Sequence, residues 1–214
     1  DQIITGSGET VFLAKYTPSD TVHYEIVENI EIIVYVTKMK VTVSVEDKEV
    51  IYNGKANTIT PVIKDENGNI LSANDYANLL TITTYYGDSS NTTGYINANV
   101  NGMSDVYITV AAIDGLCDIN KNGNIVDEIT LTAQLVVKPI ALDIIWDNTE
   151  FLYNGSIYTP TITIDMSKVI SGDDVGYKLT GGSNGKVLDV GTYPFTATST
   201  NNNYIFNISS KIIL

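Results

Sequence analysis

Apolar residues recur at every second position along most of this chain. Ile30, Ile32, Val34 and Val36 form one such row, and Val41, Val43 and Val45 the next. Val106, Ile108 and Val110 form another. Ile129, Leu131, Ala133, Leu135 and Val137 make the longest, and Leu142, Ile144 and Trp146 follow it. In an extended strand successive side chains point to opposite faces, so each row is one face of a half-buried strand. Val, Ile, Thr and Tyr fill these rows, as pleated surfaces favour. Between them stand Asn53-Gly54, Asn67-Gly68, Asn122-Gly123, Asn154-Gly155 and Asn184-Gly185, pairs that accept positive φ in tight hairpins. No stretch carries a helical stripe, and the expected fold class is all-β, built as sandwiches of short strands.

Internal repetition sets the organisation. Glu49-Val50-Ile51-Tyr52-Asn53-Gly54 returns as Glu150-Phe151-Leu152-Tyr153-Asn154-Gly155, with Thr60-Pro61 and Thr159-Pro160 following. Val36-Thr37-Lys38 leads into Val41-Thr42-Val43 as Val136-Val137-Lys138 leads into Leu142-Asp143-Ile144. Phe12-Leu13-Ala14, running on to Tyr24, is echoed by Phe195-Thr196-Ala197, running on to Tyr204. Positions 1–38 therefore read as the C-terminal half of a repeat, 39–138 as a complete repeat with an enlarged back half, and 139–214 as a compact one.

The pattern resembles the bacterial immunoglobulin-like repeats of large surface proteins, the MBG/YDG-type domains. Lys138-Pro139, Tyr153-Asn154-Gly155, Gly191-Thr192-Tyr193 and Asn203-Tyr204 carry the likeness, and Asn74-Asp75-Tyr76 matches its middle element. Residues 86–128 depart from it, being longer and richer in Asn, Gly and Asp. The resemblance implies tandem immunoglobulin-like β-sandwich repeats on a secreted or wall-attached protein, acting in adhesion or spacing; its motifs are turn and core chemistry and specify no ligand.

Charge narrows the partners. The 214 residues carry a net charge of −13, and every one of the 12 basic residues is Lys. Phosphate recognition draws on basic patches and Arg forks, so nucleic acid and anionic membrane surfaces are not expected partners. No apolar run approaches the roughly 18 residues of a spanning helix. The chain opens Asp1-Gln2 without an initiator Met or basic leader, which reads as a processed or excised segment. One cysteine, Cys117, excludes an internal disulfide framework; it is either a buried thiol or a link between chains.

Candidate chemistry is sparse, and no enzymatic activity is expected. His23 is the lone histidine, and no nucleophile elbow accompanies it. The strongest metal signal is Asp118, Asn120, Asn122 and Asn124 with Asp127 and Glu128: oxygens at relative positions 1, 3 and 5 and Gly123 at 6 match the front of a calcium loop. Ile129 stands where the closing acid belongs, and an elongated hairpin capped by Asn122-Gly123 fits the same residues. Ca²⁺ is thus the one candidate cofactor. Lys38, Lys40 and Lys138 lie on terminal strands where a Lys–Asn isopeptide link would be sought. Tyr85 and Tyr86 are candidates for stacking on a sugar or protein partner, with sandwich packing as the alternative use. Asn91-Thr92-Thr93, Asn154-Gly155-Ser156 and Asn207-Ile208-Ser209 match glycosylation acceptors. Three roles follow as expectations: a stalk or adhesion spacer among neighbouring repeats, contacting a host or surface protein or glycan; a filament or surface-layer subunit whose half repeat an identical subunit completes by strand addition; and a carbohydrate-binding module using 85–105.

Overall fold

The computed structural model describes residues 6–99, 104–113 and 115–213. In chain order, β1 (Gly8–Tyr16) and β2 (Val27–Val36) form a hairpin, followed by β3 (Met39–Ser44), β4 (Lys48–Ile51) and β5 (Val62–Asp65). A single helical turn, α1 (Ala73–Tyr76), precedes β6 (Leu80–Tyr86) and β7 (Ser104–Ala112). Next come β8 (Cys117–Lys121), β9 (Asn124–Val126), β10 (Glu128–Lys138), β11 (Ile140–Leu142), β12 (Ile144–Asp147) and β13 (Thr161–Ile164). After a 3-10 turn (Met166–Lys168) the chain ends with β14 (Tyr177–Gly181), β15 (Tyr193–Ser199), β16 (Tyr204–Phe206) and β17 (Ser210–Ile213). The sheets run β1-β2, β5-β3-β8-β9, β4-β10-β7-β6, β11-β16, β12-β13 and β14-β15-β17. The chain is all-β, and its several sheets are consistent with sandwich packing.

The chain divides into two compact units that cross the repeat boundaries read from sequence. One comprises Asp1–Glu46, Thr60–Thr84 and Tyr107–Thr132. In it β3 pairs antiparallel with β5 and parallel with β8, and Val41, Ile63, Ile108, Val110 and Ile119 are almost wholly buried. Cys117 is among them, 2% exposed, and burial pushes its thiol above the ordinary range. The helical turn follows Ser72, whose backbone N–H and hydroxyl both donate to the Asp75 carboxylate at 2.7 Å. That places Asn74-Asp75-Tyr76 on a capped turn.

The other unit comprises Asp47–Ile59, Tyr85–Val106 and Ala133–Leu214. Its core joins Tyr52 and Val137 to Leu142, Ile144, Ile162, Val175, Ala197, Tyr204 and Phe206. The turn motif of segment 39–138 thus packs into the core of segment 139–214. Two ladders here are parallel: Lys48–Ile51 beside Leu135–Lys138, and Ile140–Leu142 beside Tyr204–Phe206. Parallel neighbours need a long crossover between them, and these close over the rest of the segment.

Candidate functional site

The calcium-like segment is a β-hairpin. β8 and β9 pair Ile119 with Val126, Asn120 with Ile125 and Lys121 with Asn124, and Asn122 and Gly123 close the turn at φ 53° and 89°. Positive φ at both central positions gives a two-residue turn whose twist matches the strands. The oxygens are engaged locally: Asn120 Oδ1 accepts from the Gly123 N–H at 2.8 Å, and Asp118 Oδ1 lies 3.2 Å from Lys38 Nζ. Asn124 lies on β9, Asp127 between strands and Glu128 at the start of β10. A cation held by this set would have to displace those contacts. Among the described residues no group of three or more His, Cys, Asp or Glu is placed to hold a metal ion.

Tyr85 and Tyr86 do not present one surface. Adjacent residues on a strand face opposite ways, and Tyr86 is 3% exposed. Its phenol oxygen accepts from the Ile59 N–H at 3.2 Å, and its ring meets Tyr95 edge-on at 5.5 Å. Tyr85 is half-buried. His23 sits on an exposed turn with Nδ1 2.7 Å from Asp20 Oδ2; that hydrogen bond holds the Asp20 carboxyl below the usual range. Lys38 and Lys138 face carboxylates, Asp118 and Glu49, and both are partly exposed; Lys40 is exposed on β3.

Two features were not singled out from sequence. The first is an apolar cleft of about 480 Å³ between the Phe151–Tyr158 segment and residues 187–192. Phe151 stacks on Tyr158 with centroids 4.6 Å apart. Tyr158 bridges Val187 through backbone hydrogen bonds of 3.1 and 2.9 Å. The Tyr158 and Tyr193 hydroxyls donate to the Leu152 and Asp189 carbonyls, both at 2.9 Å. With those phenols committed, the wall is aromatic and aliphatic, and Leu152, Tyr153 and Val190 stand out on its rim, 90%, 62% and 83% exposed. Such a surface takes a planar or aliphatic group by contact area.

The second is a clasp. Tyr52 and Tyr204 both donate to Asp173 Oδ2, at 2.9 and 2.6 Å, and their rings cross edge-on at 5.8 Å. The Tyr204 oxygen also accepts from the Ile170 N–H at 2.9 Å. Burial, reinforced by the Asp173 carboxylate, raises both phenols, Tyr204 to about 12. Beside the clasp, buried Asn203 accepts from the Ala98 N–H at 2.8 Å, donates to Asn97 at 3.1 Å, and its backbone carbonyl takes the Ile140 N–H at 2.9 Å. The sequence signal for it was the Asn203-Tyr204 pair; Asp173 gave none. No protein-family model and no curated protein matches the chain.

Proposed function

We propose that this chain is an extracellular structural module, a stalk or adhesion spacer of immunoglobulin-like repeats on a bacterial surface protein. The observation that carries the reading is the direction of the ladders. β11, the first strand of segment 139–214, lies parallel to β16, close to that segment's end. Tension applied across the segment draws β11 toward its N-terminus and β16 toward its C-terminus. Parallel strands loaded in opposite senses slide along one another, so their hydrogen bonds bear load together rather than one at a time. β4 and β10 repeat the arrangement, which suits a chain held under tension. The one-residue joint between β10 and β11, Pro139, adds stiffness.

Single-molecule pulling tests this. Attachment at residues 139 and 214 loads β11–β16 in shear, whereas attachment at Tyr177 and Ser199 unzips β14 from β15 pair by pair. A several-fold higher rupture force in the first geometry is the expected result. Equal forces would remove the mechanical argument.

A further inference from the structure

The β1–β2 hairpin and the antiparallel β15–β17 pair are counterparts in sequence. Gly8-x-x-x-Phe12-Leu13-Ala14 matches Gly191-x-x-x-Phe195-Thr196-Ala197, and Ile32-Ile33 follows Tyr24 at the spacing at which Ile212-Ile213 follows Tyr204. Their surroundings differ. β15 is the central strand of its sheet, with β17 along Tyr193–Thr196 and β14 along Phe195–Ser199. β1 pairs with β2 alone over Gly8–Tyr16, so among the described residues its second edge carries no strand. The edge left bare is thus the one whose counterpart is covered. An exposed edge of this kind is a template for a further strand.

We propose that β1 pairs with β1 of a second copy of this chain, antiparallel about a two-fold axis at Phe12, giving a continuous sheet β2-β1-β1-β2. The order of side chains supports this occupant. Glu9, Val11, Leu13 and Lys15 alternate along one face, Val11 45% and Leu13 55% exposed, and Lys15 is 54% exposed. With Phe12 opposite Phe12, Val11 meets Leu13, Thr10 meets Ala14, and Glu9 meets Lys15 twice, once on each side of the axis. Opposite residues of an antiparallel pair bring their Cβ atoms to roughly 4.5–5.5 Å, within ion-pair reach. A slip of two residues either way sets Glu9 against Leu13 or Thr17 and loses both pairs. β2 offers no such match, since it carries Glu28 and Glu31 and no cation. Nor does a strand with the sequence of β14: Lys178 lies opposite Thr198, the counterpart of Lys15, so that strand would oppose lysine to lysine.

Lys15 already bonds Glu28 across the hairpin at 2.6 Å; in the dimer it sits between two carboxylates. Reversing it gathers three carboxylates, and reversing all three charges restores every pair with its sign exchanged. Light scattering of the 214-residue chain over a broad dilution series is expected to show a dimer. Glu9→Lys or Lys15→Glu should raise its dissociation constant by about tenfold or more. The triple variant Glu9→Lys/Lys15→Glu/Glu28→Lys should return most of that loss. Hydrogen exchange on the same samples should show β1 amides protected in dimer and open in monomer, with the amides of β10 unchanged. A wild-type chain that stays monomeric overturns the proposal, as does binding of an added β14 peptide at β1 in place of dimerisation. A dimer indifferent to the single reversals, or not recovered by the triple variant, overturns it equally. None of these results bears on the shear geometry of β11 and β16.

Discussion

The two Tyr-Asn-Gly turns share a sequence and a local structure and meet opposite fates. In each the Asn side-chain oxygen accepts from the N–H two residues on, Asn53 from Lys55 and Asn154 from Ser156, both at 2.9 Å. Gly54 and Gly155 take φ of 71° and 77°. Yet Tyr52 is 5% exposed inside the clasp and Tyr153 is 62% exposed on the rim of the cleft. The turn is written in the hexapeptide; the burial of its tyrosine is decided by what other segments bring to it. Asp173 and Tyr204 reach Tyr52, and among the described residues nothing equivalent reaches Tyr153.

Substitution of the tyrosines tests this contrast most severely. Tyr204→Ala and Tyr52→Ala remove buried rings and should each cost about 3–5 kcal/mol in denaturant unfolding, against less than about 0.5 kcal/mol for Tyr153→Ala. A Tyr153→Ala loss equal to that of Tyr52→Ala would break the comparison. Asp173→Ala leaves the Tyr52 hydroxyl without its acceptor in a buried site and should cost about 1–3 kcal/mol; the same measurement on Asp189→Ala, beside the cleft, should show little change.

Alkaline pH should separate the turns in another way. A phenol raised to about 12 in the folded chain ionises later than in the unfolded chain, where it titrates near 10. The unfolded state therefore loses its proton first, and the clasp's contribution is complete below about pH 10 and lost as pH rises toward about 12. Melting temperature should fall across that window, and Tyr52→Phe/Tyr204→Phe should flatten the fall. The smallest effect belongs to the turn asparagines. Asn154→Ala should cost about 0.5–1 kcal/mol, and Asn53→Ala slightly more, because Asn53 also donates to Asn57 at 3.2 Å.

Much of the strand plan was legible because period two has one structural meaning. Val106, Ile108 and Val110 are fully buried on β7, as are Leu135 and Val137 on β10. Asn122-Gly123 caps the expected hairpin. The row at Ile30 and Ile32 is 37% and 48% exposed, since alternation marks a face without saying what covers it. The Tyr85-Tyr86 pair shows the converse: neighbours on a strand could not both face out, and the buried one was needed under Ile59. The clasp was illegible for a different reason. It joins residues far apart in sequence through an aspartate whose local context, Gly-Asp-Asp, is that of any loop.

That distance governs how the chain comes to be folded as it is made. Tyr52 leaves the ribosome about 150 residues before Tyr204, and at roughly 5–20 residues per second the wait is on the order of 10–30 s. The strand edge at Lys48–Ile51 waits only until Leu135–Lys138 is made, whereas Tyr52 waits through the whole interval for Tyr204. Strands near the end of the chain thus complete the burial of one of its early turns.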